Sequence, residues 1–149
     1  GLRILTYDGS KITNISSGVD SVDTVKNMNS DTMKLVYFES NGAAKTGTTT
    51  ITLDGTSYTF SFKSNGSPRG VGETGISDGY IYQNGLRLTA DEDTKYGVVT
   101  YKNESYVVNE KGSIQKNKKN LKDADETYYC TNPKGILLHS STEKCTTKH

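Results

Sequence analysis

Ile51-Thr-Leu-Asp-Gly-Thr-Ser-Tyr58 and Val99-Thr-Tyr-Lys-Asn-Glu-Ser-Tyr106 share one pattern: a short strand, a two-residue turn and a second strand with a Tyr three residues past the turn. Working outward from this pair, the same turn recurs at Asp54-Gly55, Asp78-Gly79, Lys102-Asn103 and Ala124-Asp125, in steps of 24, 24 and 22 residues. Tyr58, Tyr82, Tyr106 and Tyr128 follow those turns at a constant offset. A second set, Asn41-Gly42, Asn65-Gly66, Asn84-Gly85, Lys111-Gly112 and Lys134-Gly135, closes each unit, because Gly or Asn permits the positive φ that tight hairpin turns need. A fixed period of this length is the mark of a repeat architecture. The expected fold is all-β, a repetitive β-hairpin solenoid of about five units at 25-47, 48-73, 74-95, 96-118 and 119-141. Residues 1-24 are expected to form an N-terminal cap or degenerate hairpin, and 142-149 a tail. Within the cap, Asp8-Gly9 suggests a hairpin, and Val19, Val22 and Val25 at three-residue steps allow a short helix.

Side chains one residue apart on a strand point to opposite faces. One face of the second strands therefore carries Val36, Phe38, Tyr58, Phe60, Phe62, Tyr82, Tyr106, Val108, Tyr128 and Cys130, which reads as the core. Tyr37, Thr59, Val107 and Tyr129 point the other way. A lone hairpin is marginal in water, so each unit must bury its aromatic row against the next.

The composition agrees with that reading. Of the 149 residues only 32% are hydrophobic, Trp is absent, and ten Tyr with three Phe supply the bulk. Aromatic mass in so polar a chain favours strands. Eighteen basic against 17 acidic residues leave a net charge of +1, so no global field draws the protein to nucleic acid or to a membrane surface. No run approaches the roughly 20 apolar residues of a bilayer span, and membrane insertion is not expected. No charged-then-apolar leader opens the chain; if the protein is secreted, that segment has been removed.

The segments Val36-Tyr-Phe-Glu-Ser-Asn-Gly42, Asp54-Gly-Thr-Ser-Tyr-Thr-Phe60 and Lys102-Asn-Glu-Ser-Tyr-Val-Val-Asn-Glu-Lys-Gly112, with Thr46-Gly47 and Thr74-Gly75, resemble the cell-wall-binding repeats of Gram-positive bacteria. That family includes choline-binding modules, glucan-binding domains and the repetitive ends of clostridial toxins. The resemblance covers roughly 30-137 and is weakest in the third unit. It implies a secreted, cell-wall-associated, noncatalytic protein that grips a surface polymer with aromatic residues between hairpins. The choline-binding branch cages a quaternary ammonium with Trp and Tyr, because cation-π attraction is strongest on Trp. With Trp absent, a glycan or cell-wall carbohydrate fits the remaining tyrosines better.

Other motifs carry less. Gly70-Val-Gly-Glu-Thr-Gly75 satisfies a dinucleotide fingerprint, but no apolar strand precedes it and no helix follows, so it reads as an inter-hairpin loop. Asp91-Glu-Asp93 and Asp123-Ala-Asp125 lack the glycine and late glutamate of an EF-hand loop and read as solvated turns. His139 reads as a surface residue, and neither it nor His149 joins the cysteines in a zinc spacing. No nucleophile elbow singles out a Ser. No enzyme activity, metal or cofactor is therefore expected. Cys130 and Cys145 either form a disulfide closing a loop of about 15 residues or leave Cys130 as a small buried hydrophobe.

Lys111, Lys116, Lys118, Lys119 and Lys122 form a local basic stretch. Lys116, Lys118 and Lys119 are candidates for contact with an anionic wall polymer. A solvated charged loop is the competing reading. Ligand contacts are otherwise expected from the aromatics off the inward register, Tyr37, Tyr101 and Tyr129. The functional expectation is a noncatalytic cell-wall or surface-polysaccharide binding module. The alternative is an adhesin or structural spacer that contacts host protein.

Overall fold

A computed structural model describes residues 1–65 and 69–145. The expected turn at Asn65-Gly66 and the imidazole of His149 lie outside those residues. The chain is predominantly β, with several antiparallel sheets and, among the described residues, one short helix. In chain order the elements are β1 (Leu2–Asp8), β2 (Lys11–Ile15), α1 (Val22–Lys26), β3 (Met33–Tyr37), β4 (Gly47–Leu53), β5 (Thr56–Phe62), β6 (Gly75–Ser77), β7 (Tyr80–Gln83) and β8 (Leu86–Arg87). They continue with β9 (Tyr96–Tyr101), β10 (Glu104–Asn109), β11 (Leu121–Lys122), β12 (Tyr128–Thr131) and β13 (Leu137–Ser141). Two compact units result. The first holds Gly1–Gly75 and Tyr82–Arg87, the second Ile76–Ile81 and the chain from Leu88 onward.

Turn chemistry explains the hairpins. Asp54-Gly55, Asp78-Gly79, Asn84-Gly85 and Lys102-Asn103 each have two positive φ values, as the type I′ turn requires, and its twist matches that of the flanking strands. The Ala124-Asp125 pair departs from expectation. There the loop has three residues, with Glu126 at φ 64 and Asp123 N–H bonded to Thr127 O at 2.9 Å. The Asp123 carboxylate selects this form, because Oδ1 accepts from the amides of both Asp125 and Thr127 at 2.9 Å. Asn109 does the same for Lys111 and Ser113, and Asn132 for Lys134 and Ile136. The second-set turns at Lys111-Gly112 and Lys134-Gly135 are thus three-residue loops closed by an Asn side chain.

In the first unit, β1 is central to the three-stranded sheet β2-β1-β3. The hairpin near Asp8-Gly9 forms, with Asp8 opposite Lys11. Helix α1 also forms, capped by Ser21 Oγ accepting from Asp23 N and anchored by buried Val25. Leu5, Val36 and Val71 make a core cluster flanked by Tyr7, Phe38 and Ala44. Phe60 and Phe62 are fully buried with stacked rings. The Gly70–Gly75 segment is an inter-hairpin return: Gly72 N donates to Leu35 O and Glu73 N to Ser61 O. A Cβ on Gly72 would stand 2.6 Å from the Asn84 carbonyl oxygen, so only glycine fits. In the second unit, β9 and β10 form one hairpin, β11-β12-β13 form a sheet, and Ile81, Val108 and Ile114 form the core cluster.

Bridges join residues of consecutive expected repeats: Val36 with Val71, Phe60 with Leu86, Tyr80 with Ser113, and Tyr106 with Ile136. Their positions within the repeats are not constant. Phe60, Tyr80 and Tyr106 lie five, one and three residues past their turns. The tyrosine column is correspondingly uneven: Tyr82 is buried, whereas Tyr58, Tyr106 and Tyr128 are half-buried.

The assignment of faces needs correction. Val107 is fully buried and Tyr129 is 7% exposed, although both lie on the face expected to point away from the core. Alternation fixes which side chains share a face, but not whether that face is covered. Here both faces of β10 and β12 are.

Candidate functional site

Tyr37 ends β3 directly opposite Leu2 of β1. The chain then reverses through Glu39–Ala43, where Glu39 N donates to Ala43 O at 2.8 Å and Gly42 takes a φ of 87. The reversal returns the Lys45 amide to the Tyr37 carbonyl at 2.8 Å. This local turn brings Tyr37 and Lys45 to one cleft. Together with Leu2, Val19 and Thr49–Leu53 they line a cleft of about 380 Å³.

Five consecutive β4 residues line one cleft, so it runs along the strand's edge rather than over one face. β4 is the outer strand of its sheet. Leu53 and Thr56 flank a two-residue turn and form a hydrogen-bonded pair, as do Ile51 with Tyr58 and Thr49 with Phe60. The backbone N–H and C=O groups of Thr50 and Thr52 therefore face the free edge, and no backbone partner takes them among the described residues. Lys45, half-buried, has no ion-pair partner among the described residues. The cleft thus offers an aromatic ring, a cation, and alternating amide donors and acceptors.

The other two expected ligand tyrosines are elsewhere. Tyr101 packs against the Ile81, Val108 and Ile114 cluster, with Lys102 Nζ 5.5 Å from its ring centroid. Tyr129 is not off the core as expected. Its hydroxyl donates to Asp123 Oδ2 at 2.8 Å, and burial, that hydrogen bond and the nearby charges of Asp123 and Asp125 push its pKa up to about 12. Asp123 is itself buried, so it is not the solvated turn residue that the sequence suggested. Asp91 to Asp93 are exposed.

Lys116, Lys118 and Lys119 are exposed on a loop whose backbone is tied to β12 and the turn beyond it: Asn117 N donates to Asn132 O, and Lys118 N to Thr131 Oγ1. Lys122 pairs with Glu126 at 3.8 Å. Cations also stand over other tyrosine rings, Arg87 over Tyr82 at 5.5 Å, and both Lys122 and Lys144 over Tyr128 at 5.9 and 6.0 Å. Cys130 is both buried and disulfide-bonded to Cys145. Half-buried His139 lies on β13 rather than fully at the surface, its Nε2 2.8 Å from the Glu143 carbonyl oxygen.

A second cleft of about 460 Å³ is lined by Tyr7, Ile12, Asp31, Thr32 and Lys34, with Gly9 and Ser10 at the β1–β2 turn. Sequence reasoning singled out Tyr37 but neither Lys45 nor the free β4 edge. Compared with family models and with curated proteins, the sequence matches none.

Proposed function

We propose that this chain is a noncatalytic module of a secreted bacterial protein that binds cell-wall or surface polysaccharide, and that its hairpins form a short solenoid. The Tyr37 cleft carries the reading, because a sugar ring stacks on an aromatic face while a strand edge and a cation hold its polar groups. Bridges between consecutive repeats of about 24 residues favour the solenoid. The disulfide accords with an oxidising compartment. Exposed Lys116, Lys118 and Lys119 would add a salt-sensitive attraction to anionic wall polymer.

Retention on purified Gram-positive cell wall, read beside a glycan array, tests the reading. Saturable retention that Tyr37→Ala abolishes, with the unfolding midpoint unchanged, supports it. Absence of polysaccharide binding, with binding to host cells retained, would instead favour the adhesin.

A further inference from the structure

We infer that the Tyr37 cleft selects an N-acylated sugar that also carries a carboxylate. This rests on the polysaccharide reading and names the class of sugar. Two features of the cleft go beyond what a neutral glucan would use.

The first is Lys45. This residue lines the cleft, is half-buried, and pairs with no carboxylate among the described residues. A cation without a counter-charge in a partly desolvated recess gains most from an anionic ligand, since hydrogen bonds to charged groups are the stronger ones. The second is the free edge of β4. Thr50 and Thr52 present peptide N–H and C=O groups toward the cleft, spaced to meet another amide. An N-acyl group on a sugar is such an amide, carrying one donor and one acceptor, whereas a plain hydroxyl matches the pair less well. Tyr37, which lines the same cleft, supplies an aromatic ring for stacking. A cleft of about 380 Å³ suits a ligand of one or two sugar rings.

Titration calorimetry of the whole chain tests this with five soluble probes. Two carry both groups, a disaccharide of N-acetylglucosamine with N-acetylmuramic acid, and sialyllactose; they separate a wall source from a host-glycan source. Diacetylchitobiose has the amide alone, digalacturonate the carboxylate alone, and cellobiose neither. At least one of the first two should bind about tenfold or more tighter than each of the other three. Lys45→Gln should erase the advantage over diacetylchitobiose. Thr50→Pro removes one outward N–H and leaves the β5 ladder intact, as an edge strand allows, and should erase the advantage over digalacturonate. Far-UV circular dichroism confirms that both variants fold.

Equal affinities for acidic and neutral probes, or a preference that survives Lys45→Gln, would overturn the inference. If Tyr37-dependent wall retention persists alongside that result, the polysaccharide reading stands and only the acidic N-acyl selectivity falls. If no probe binds and no wall is retained, both fall.

Discussion

The Tyr129 hydroxyl donates to Asp123 Oδ2 at 2.8 Å, while the other oxygen of the same carboxylate holds the amides of Asp125 and Thr127. One buried acid therefore closes a turn and fixes the ring on the strand that follows it. Burial and the adjacent negative charge favour the neutral phenol. Its pKa is about 12 in the folded chain, against about 10 when unfolded. The folded state holds the proton more tightly, so this contribution is complete below about pH 10 and is lost progressively as pH rises through about 12, on the order of 2 kcal/mol in all. An ultraviolet titration of tyrosinate should show one late-ionising group that Asp123→Asn moves to lower pH. The absence of a late phase would contradict the pairing.

Gly135 and Gly79 both have φ near the left-handed region, at 89° and 84°, yet their surroundings differ. A Cβ at Gly135 would collide with Ile114, whereas one at Gly79 would meet nothing within 4 Å. Gly79→Ala should cost about 1 kcal/mol from backbone strain alone. Gly135→Ala should cost about 1–3 kcal/mol more, because a packed core must shift. Denaturant midpoints of the two variants check the order.

The three candidate ligand tyrosines should separate by phenotype. Tyr37→Ala is expected to lower wall retention with little change in the unfolding midpoint. Tyr129→Ala should destabilise by about 3–5 kcal/mol, as large aromatic truncations in cores do. Tyr101→Ala should act mainly on stability, because its ring packs on the Ile81, Val108 and Ile114 cluster. Thermal melts read beside retention would sort them.

Removing the Cys130–Cys145 bond with a double Ser variant should lower stability by about 3 kcal/mol in the loop-entropy treatment. Wall retention through Tyr37 should be unchanged at a temperature where both proteins are folded. Loss of retention in the folded variant would show that the clasp bears on binding.

Much of the fold was legible because it is written in local turn chemistry. Asp-Gly, Asn-Gly and Lys-Asn pairs allow the two positive φ values of a type I′ turn, and the structure places such turns at 54–55, 78–79, 84–85 and 102–103. Spacing alone misled at Ala124-Asp125, where the preceding Asp123 side chain imposes a longer loop. The burial of Val107 and Tyr129 was not legible, since alternation sorts faces without saying what lies over them. Tyr37 was found by its register. Lys45 and the Thr50 and Thr52 backbone groups were not, because a strand edge is free only by virtue of the pairing order of the whole sheet.

Neighbour-to-neighbour pairing also bears on how this chain reaches its fold. No described backbone hydrogen bond or bridge joins residues more than 37 apart, the span from Gly1 to Phe38. Loop-closure entropy rises only logarithmically with loop length, and among the described residues it is set by these short spans. Each hairpin can therefore close once its immediate neighbours exist, whether or not the rest has been synthesised. Folding speed should follow the local turns rather than total length, which is unusual for a β protein, where distant strand pairing normally sets a slow pace.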